Sequence, residues 1–261
     1  MTADRTAAAR RLEAIALPLA AGAAALLAWH LAVVASGTTT VPSPAAVARG
    51  IAELARRGVL LPYIGDSLLR VGTGYALAVA AGVPVGLAMG WWPAVARTLE
   101  PVVQVLRPIS PLAWIPVAIV LFGIGELATV FLIFLAAVFP IVVATADGVA
   151  GVPAIVRRAG RNFGLSPAGV MARVVFPAAL PQVLAGLRIA LGVAWLVVVA
   201  AEMIAVDSGL GYLVIDARNA GKRYDLVVAA IVMIGLIGLA LDLGARRLER
   251  LRPLRWGFRA D

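Results

Sequence analysis

Cysteine is absent from this sequence of 261 residues, and histidine and lysine occur once each, as His30 and Lys222. Without cysteine the chain has no disulfide, no thiol nucleophile and no thiolate metal ligand. One histidine excludes a histidine-rich zinc site. An intramembrane enzyme would then have to use serine or aspartate residues, and the candidate arrangements of these are weak. We therefore expect no catalytic residue and no metal ligand.

Charged residues are also scarce. They make up 14% of the chain, against 62% hydrophobic residues and a mean hydropathy of +0.97, whereas soluble domains contain about 25% charged residues. Such a composition cannot cover a soluble surface, and long apolar runs favour helices as the spanning element. The predicted fold class is an all-α integral membrane protein. The net charge of +9 then indicates orientation and contact with membrane lipid rather than nucleic-acid binding.

Six apolar runs are long enough, at about 20 residues, to cross the hydrocarbon core of a bilayer. We predict one transmembrane domain over residues 1–261, with spans at 16–36, 71–90, 98–121, 127–146, 186–206 and 226–244. Alternate loops hold fourteen basic residues on one side and six on the other. The positive-inside rule therefore places both termini and the long 147–185 loop in the cytoplasm. Arg70, Arg107 and Arg188 fall at helix ends, where we expect them to snorkel.

The 147–185 loop is much longer than a turn between two spans requires, and long structured loops tend to be functional. Its residues predict a helix over 154–163, a stop at Gly164, an N-cap and first-turn proline at Ser166 and Pro167, and a second helix over 168–176. Val170, Met171, Val174 and Val175 form an apolar face on that second helix. We expect this face to contact a partner.

The same loop resembles a known signature. Arg158–Gly160, three residues, Gly164, nine residues and Val174–Pro177 match the spacing of the cytoplasmic sequence of ABC importer permeases, which reads Glu-Ala-Ala, three residues, Gly, nine residues and Ile-x-Leu-Pro. The chain departs from it with Arg158 for Glu, Gly160 for Ala, Val174 for Ile and Phe176 for Leu. Further segments resemble the nitrate, sulfonate and taurine (bicarbonate) branch of that family: Val41–Pro44, Leu106–Pro116, Phe122–Glu126, Phe176–Pro181 and Ala201-Glu202.

The resemblance implies a type I ABC importer permease (MetI-like) fold in the bacterial inner membrane. It implies that the loop docks on ABC ATPase subunits, through Arg158, Ala159, Gly160, Gly164, Ser166, Pro167, Met171, Val174 and Pro177. It also implies a second permease chain, either a second copy in a homodimer or a paralogue, and a periplasmic or lipoprotein solute-binding protein. The implied substrate is a small oxyanion such as nitrate, a sulfonate or taurine.

A nucleotide-binding phosphate loop needs Gly-Lys followed by Ser or Thr, but Lys222 is followed by Arg223. We therefore expect no cofactor on this chain, with ATP and Mg bound by a partner ATPase. An ATP-independent channel or secondary carrier is the alternative.

Candidate residues of a translocation path lie in and near the proline-interrupted third run, because broken helices often line transport sites. Arg107, Ser110 and Trp114 offer a cation, a hydroxyl and an indole N–H to an anion. The alternative is that the prolines only bend the helix for packing and that Arg107 snorkels or pairs with Glu100 or Glu126. Glu202 is costly within the bilayer and should face the bundle interior, where it either gates the path or pairs with Arg107 or Arg188.

Overall fold

The structure is a computed structural model that describes residues 2–37 and 40–249, without the side chains of residues 2–15 and 248. Its regular elements are all helical within these residues. The α-helices are α1 (Thr2–Ser36), α2 (Pro44–Arg56), α3 (Leu60–Trp91), α4 (Pro93–Leu106), α5 (Ile115–Phe122), α6 (Glu126–Ala150), α7 (Ala154–Asn162), α8 (Pro167–Val170), α9 (Phe176–Ala205), α10 (Leu210–Asn219) and α11 (Tyr224–Glu249). A 3-10 turn, Pro111–Trp114, precedes α5, and a π-helical turn, Met171–Val175, joins α8 to α9.

The all-helical fold class is confirmed. Within the described residues, five helical segments are long and apolar enough to cross a membrane: Ala16–Ser36, Leu60–Trp91, Glu126–Ala150, Pro167–Ala205 and Tyr224–Arg247. A sixth span results if Pro93–Leu106 and Pro111–Phe122 count together. The described helices extend beyond several of the predicted spans, most of all at the start of α3 and of the segment that leads into α9.

The third predicted span, 98–121, is not one helix. Its two halves meet at an angle of 85°, with Arg107 as the C-cap of α4. Ser110 has an extended ψ of 129° directly before Pro111, as expected because a proline disfavours helical geometry in the residue that precedes it. The proline-rich sequence therefore produces a sharp break rather than a gentle bend.

The chain divides into two compact units. One contains the chain up to Val59 together with Val214–Ile231, and the other contains Leu60–Leu213 together with the chain from Val232 onward.

In the first unit, α2 begins at the N-cap Ser43, whose side chain accepts a hydrogen bond from the Ala46 N–H. Val47 and Leu54, apolar residues of α2 that are spaced along one face as in a helix that lies on a membrane surface, are covered by protein. A Cβ on Gly50 would lie 3.3 Å from the Ala229 Cβ. The apolar face of α2 therefore packs on the first turns of α11.

In the second unit, α3, α6 and α9 form the core. Small residues recur at every fourth position on the face of α3 that meets α6, at Gly74, Ala78, Gly82, Gly86 and Gly90. A Cβ on Gly82 would lie 2.9 Å from a methyl carbon of Ile141, and one on Gly86 would lie 2.6 Å from the Val142 carbonyl oxygen. Such stripes let membrane helices approach closely.

Gly72 does not belong to this packing face, since a Cβ there would meet no atom within 4 Å.

Candidate functional site

The segment between α6 and α9 forms the predicted helix, turn and helix. Gly164, which follows α7, has a φ of +80°, a left-handed conformation that glycine adopts without steric cost. The Ser166 side chain then caps the next helix by accepting a hydrogen bond from the Gly169 N–H at 3.2 Å. The N-cap at Ser166 and the stop at Gly164 are thus confirmed.

The two helices of this segment touch where the sequence departs from the family signature. Gly160 is buried, and a Cβ on it would lie 3.2 Å from a methyl carbon of Val174 and 3.4 Å from one of Val170. Glycine at 160 therefore allows α7 to lie close against the helix that follows.

The apolar face of the second helix does not point outward as predicted. Val170 and Val175 are fully buried, in a cluster that also contains Val149, Ala179 and Val183. The prediction that Val170 and Val175 contact a partner is therefore wrong, because the chain's own core already covers them. Met171 and Val174 are half-buried, and their contact with the ATPase stays a prediction. The large apolar side chains that remain exposed lie on and just after α7: Ile155 is 76% exposed and Phe163 is 87% exposed.

The second helix also does not end before Pro177. It continues through the π-helical turn into α9, giving one helical segment from Pro167 to Ala205. Pro177 cannot donate to the carbonyl four residues earlier, and π-helical turns are a known way to insert a residue into a helix. The predicted loop end at 185 and span start at 186 therefore lie inside a continuous helix.

A basic pocket opens beside α7. Its volume is about 350 Å³, and its lining includes Arg157, Arg158, Arg161 and the Trp91 indole at the end of α3. None of the three guanidinium groups has a hydrogen-bond or ion-pair partner among the residues that the structure describes. The pocket is therefore a concentration of uncompensated positive charge.

At the opposite end of the same bundle, a buried ionic network surrounds Arg70, whose exposure is 2%. Its guanidinium donates to Glu126 at 2.7 and 2.5 Å and to Glu202 at 2.9 Å. It also donates to the Ser208 carbonyl at 2.8 Å and to the Ser208 hydroxyl at 2.6 Å. One arginine therefore joins α3, α6, α9 and the segment before α10.

Glu202 is fully buried and is surrounded by donors. Its carboxylate accepts hydrogen bonds from Arg70, from the Ser67 hydroxyl at 2.9 Å and from the Gly211 N–H at 2.9 Å. Ser67 in turn accepts from the Leu210 N–H at 2.9 Å. A buried charge is tolerated when it is paired and hydrogen-bonded, and both conditions hold here.

The sequence-based interpretation of Arg70 was wrong. With the second span starting at 71, Arg70 was assigned to a helix end, but α3 begins at Leu60 and Arg70 lies within it. The sequence did contain one clue: an acid at 202 inside a span requires a cation nearby, and α3 supplies it. Arg188, the third arginine assigned to a helix end, donates to Glu249 at 3.0 Å.

The four predicted path residues are not brought together into one site. Arg107 and Ser110 are exposed at the break between α4 and α5, and Arg107 has no ion-pair partner among the described residues. Trp114 packs on a buried apolar cluster that includes Ala118 and Ala201. Glu202 pairs with Arg70, and not with Arg107 or Arg188. Their path role stays a prediction.

A second polar cluster, not anticipated from the sequence, lies in the first unit. Arg223 donates to Glu53 at 2.8 Å and to Asp225 at 2.8 Å, and Arg57 also pairs with Glu53. The hydrogen bond from Arg223 lowers the pKa of the Glu53 carboxyl below its ordinary value. The cluster borders a cavity of about 550 Å³.

Comparison with known proteins identifies the family. Residues 82–252 match the family described as "Binding-protein-dependent transport system inner membrane component". The chain belongs to this family. It is the permease subunit of a binding-protein-dependent ABC importer, a multi-pass component of the inner membrane. As a transport subunit it works with an ATPase, which binds the ATP, and with a solute-binding protein.

Individual relatives agree with this assignment. The chain is 41% identical over 252 residues to a probable ABC transporter permease protein of Brucella abortus, covering 96% of this chain and 99% of the relative. It is 42% identical to the taurine transport system permease protein of Escherichia coli, covering 73% of this chain and 69% of the relative. It is 41% identical to the nitrate import permease protein of Synechococcus elongatus, covering 67% and 64%.

A solved structure supports the fold. The inward-facing MetNI methionine ABC transporter contains a chain that matches this one with a TM-score of 0.65 at 19% identity, covering 74% of this chain and 95% of that chain. At this identity the likeness concerns the fold alone. The predicted permease fold is thereby confirmed.

Proposed function

We propose that this permease imports a small oxyanion such as nitrate, a sulfonate or taurine. The supporting observation is the identity of just over 40% with both a taurine and a nitrate permease. The exposed Arg107 and Ser110 at the break between α4 and α5 would offer a cation and a hydroxyl to such an anion. Trp114 and Glu202 are the other two predicted path residues. Glu202 would act through its ion pair with Arg70.

The substrate is tested by uptake in proteoliposomes that contain the chain, its ATPase and its solute-binding protein. Labelled taurine and labelled nitrate are each supplied with ATP enclosed, and unlabelled oxyanions compete. Uptake of one of them, blocked by excess of the same anion, supports the proposal. Uptake of a solute without an oxyanion group instead, with neither taurine nor nitrate transported, contradicts it.

The 147–185 segment is proposed to couple the ATPase to the bundle. Ile155 and Phe163 form the exposed apolar part of its surface, and aromatic side chains are enriched at protein interfaces. Gly164, Ser166 and Pro167 fix the turn that holds α7 in place. The contact of Gly160 with Val174 would pass a displacement of α7 to the helix that becomes α9.

Docking is tested with Phe163→Ser. Because Phe163 is 87% exposed, this change should leave the folded permease unaltered while reducing copurification of the ATPase and ATP-driven uptake. Leu196 in α9 is 71% exposed, and Leu196→Ser, at an exposed apolar position outside the 147–185 segment, is the matched control. Equal ATPase recovery from wild type and Phe163→Ser would contradict docking at this surface.

We further propose that the chain works as one transmembrane domain with six spans and with both termini in the cytoplasm. Fourteen basic residues against six in alternate loops support this orientation, although the arginines after residue 249 lie outside the described residues. Two copies would form the translocation path as a homodimer in the bacterial inner membrane, with lipid around it and a periplasmic or lipoprotein receptor outside. Accessibility of single cysteines to an impermeant reagent tests the orientation.

A further inference from the structure

The segment around α7 carries positive charge that no residue described by the structure neutralises. From Gly148 to Ala201 the sequence has five arginines and no aspartate or glutamate. Three of these arginines, Arg157, Arg158 and Arg161, border the pocket of about 350 Å³ beside Trp91. They have no carboxylate partner within the described part of the chain.

Three like charges around one concave site repel each other unless an anion joins them. A cleft lined by one sign of charge concentrates the electric field and attracts groups of the opposite sign. Guanidinium groups bind carboxylates through paired, charge-assisted hydrogen bonds. The pocket is therefore suited to one or more acidic side chains.

We propose that this pocket receives carboxylate side chains of the partner ATPase, so that the ATPase surface which docks on α7 is acidic. The proposal rests on the docking of the ATPase at α7 given above and adds the charge of the partner's surface. The family signature has a glutamate at the position of Arg158. The proposed electrostatic contact of Arg158 therefore has the opposite sign. Arg157 and Arg161 reinforce it.

An anionic lipid headgroup shares this chemistry, but the surroundings of the pocket favour a protein. Ile155 and Phe163, 76% and 87% exposed, lie on and just after the helix that carries the three arginines. A protein surface would cover both the apolar side chains and the charges. Exposed aromatic side chains mixed with arginine are typical of protein interfaces, whereas a headgroup phosphate would contact the charges alone.

The test measures the dissociation constant of the purified permease for its ATPase, itself obtained by copurification with the wild-type chain. Arg158→Glu should raise this constant at least about tenfold, and Arg158→Gln should raise it less. Arg173→Glu is the matched control, because Arg173 is exposed in the same segment but does not border the pocket. It should change the constant less than about twofold, since it is a solvated charge outside the contact.

Replacing one acidic residue on the ATPase surface by lysine should restore binding to Arg158→Glu and weaken binding to the wild type. Raising the salt concentration from about 50 to about 300 mM should weaken the wild-type complex more than the Arg158→Glu complex, because screening acts on the paired charges. Native mass spectrometry of the same variants in detergent measures how much phosphatidylglycerol, an anionic lipid, remains bound to each one. This measurement tests the alternative of a lipid headgroup site.

Three results would overturn the proposal. One is that Arg158→Glu binds the ATPase with wild-type affinity while Phe163→Ser still abolishes docking. The ATPase would then dock at this surface without the proposed charge contact. Another is equal loss in Arg158→Glu and Arg173→Glu, which indicates a diffuse charge effect. The third is unchanged ATPase affinity with loss of bound phosphatidylglycerol in Arg158→Glu, which identifies a headgroup site. Failure of the wild type to bind any ATPase would instead contradict the docking proposal itself.

Discussion

Replacing Glu202 by glutamine should destabilise the permease strongly. The change keeps the shape of the side chain but removes its charge. One carboxylate oxygen accepts from both Ser67 and Gly211, and the other accepts from Arg70. The single amide oxygen of glutamine can replace only one of these two carboxylate oxygens. At the position of the other, the glutamine NH₂ group would face a hydrogen-bond donor. Breaking a buried pair in this way costs about 3–5 kcal/mol.

The matched control is Glu126→Gln. Glu126 also pairs with Arg70, but its side chain is 63% exposed, whereas that of Glu202 is 0% exposed. Because the Glu126 carboxylate is largely solvated and Arg70 keeps its ion pair with Glu202, this loss should cost only about 1 kcal/mol. The same arginine thus loses one carboxylate in each variant, and the variants differ in the burial of the lost partner and in the two further donors, Ser67 and Gly211, that Glu202 alone serves.

The measurement is thermal unfolding in detergent, followed by the fraction of protein that remains monodisperse on size exclusion. At roughly 2–4 °C per kcal/mol for a chain of this size, Glu202→Gln should lower Tm by about 6–20 °C and Glu126→Gln by no more than about 4 °C. Equal shifts in the two variants would refute the reasoning, because they would mean that burial of the network adds no cost.

Three further outcomes follow from the packing, the turn and the broken span. Gly86→Ala should lower Tm in the same assay, because overpacking against α6 costs about 1–3 kcal/mol. Gly72→Ala should leave Tm unchanged, since its Cβ would meet no atom within 4 Å. Equal Tm values for the two variants would contradict the close approach of α3 and α6. Gly164→Ala should reduce the recovery of ATPase with the permease, because a φ of +80° costs an alanine about 1–2 kcal/mol. Gly164→Asn should reduce this recovery less. Equal reductions would argue against backbone strain as the cause. Arg107→Gln should lower anion uptake without changing assembly if this cation contacts the substrate, and unchanged uptake in proteoliposomes would remove it from the path.

The sequence predicted best the features that depend on neighbouring residues. Long apolar runs specified a helical membrane fold, and Gly164 with Ser166 specified the turn after α7, where the structure has a left-handed glycine and a capping hydroxyl. The break at Ser110 likewise follows from the proline beside it. Each of these features is determined within a few residues of chain.

Features that depend on distant residues were missed or misassigned. Arg70 and Glu202 are far apart in sequence, and their pairing follows only from the packing of α3 against α9. The apolar face containing Val170 and Val175 was correctly recognised as a packing face, but its partner is the chain's own core. Periodicity shows that a helix has an apolar face and does not show what covers it.

The most direct test of the whole account is uptake in proteoliposomes prepared with and without the partner ATPase. With the ATPase, the solute-binding protein and enclosed ATP, the account predicts accumulation of the anion together with ATP hydrolysis that the loaded binding protein stimulates. Both should be absent when the ATPase is omitted. Equal uptake without the ATPase would contradict the account, since it would make this chain an ATP-independent channel or carrier.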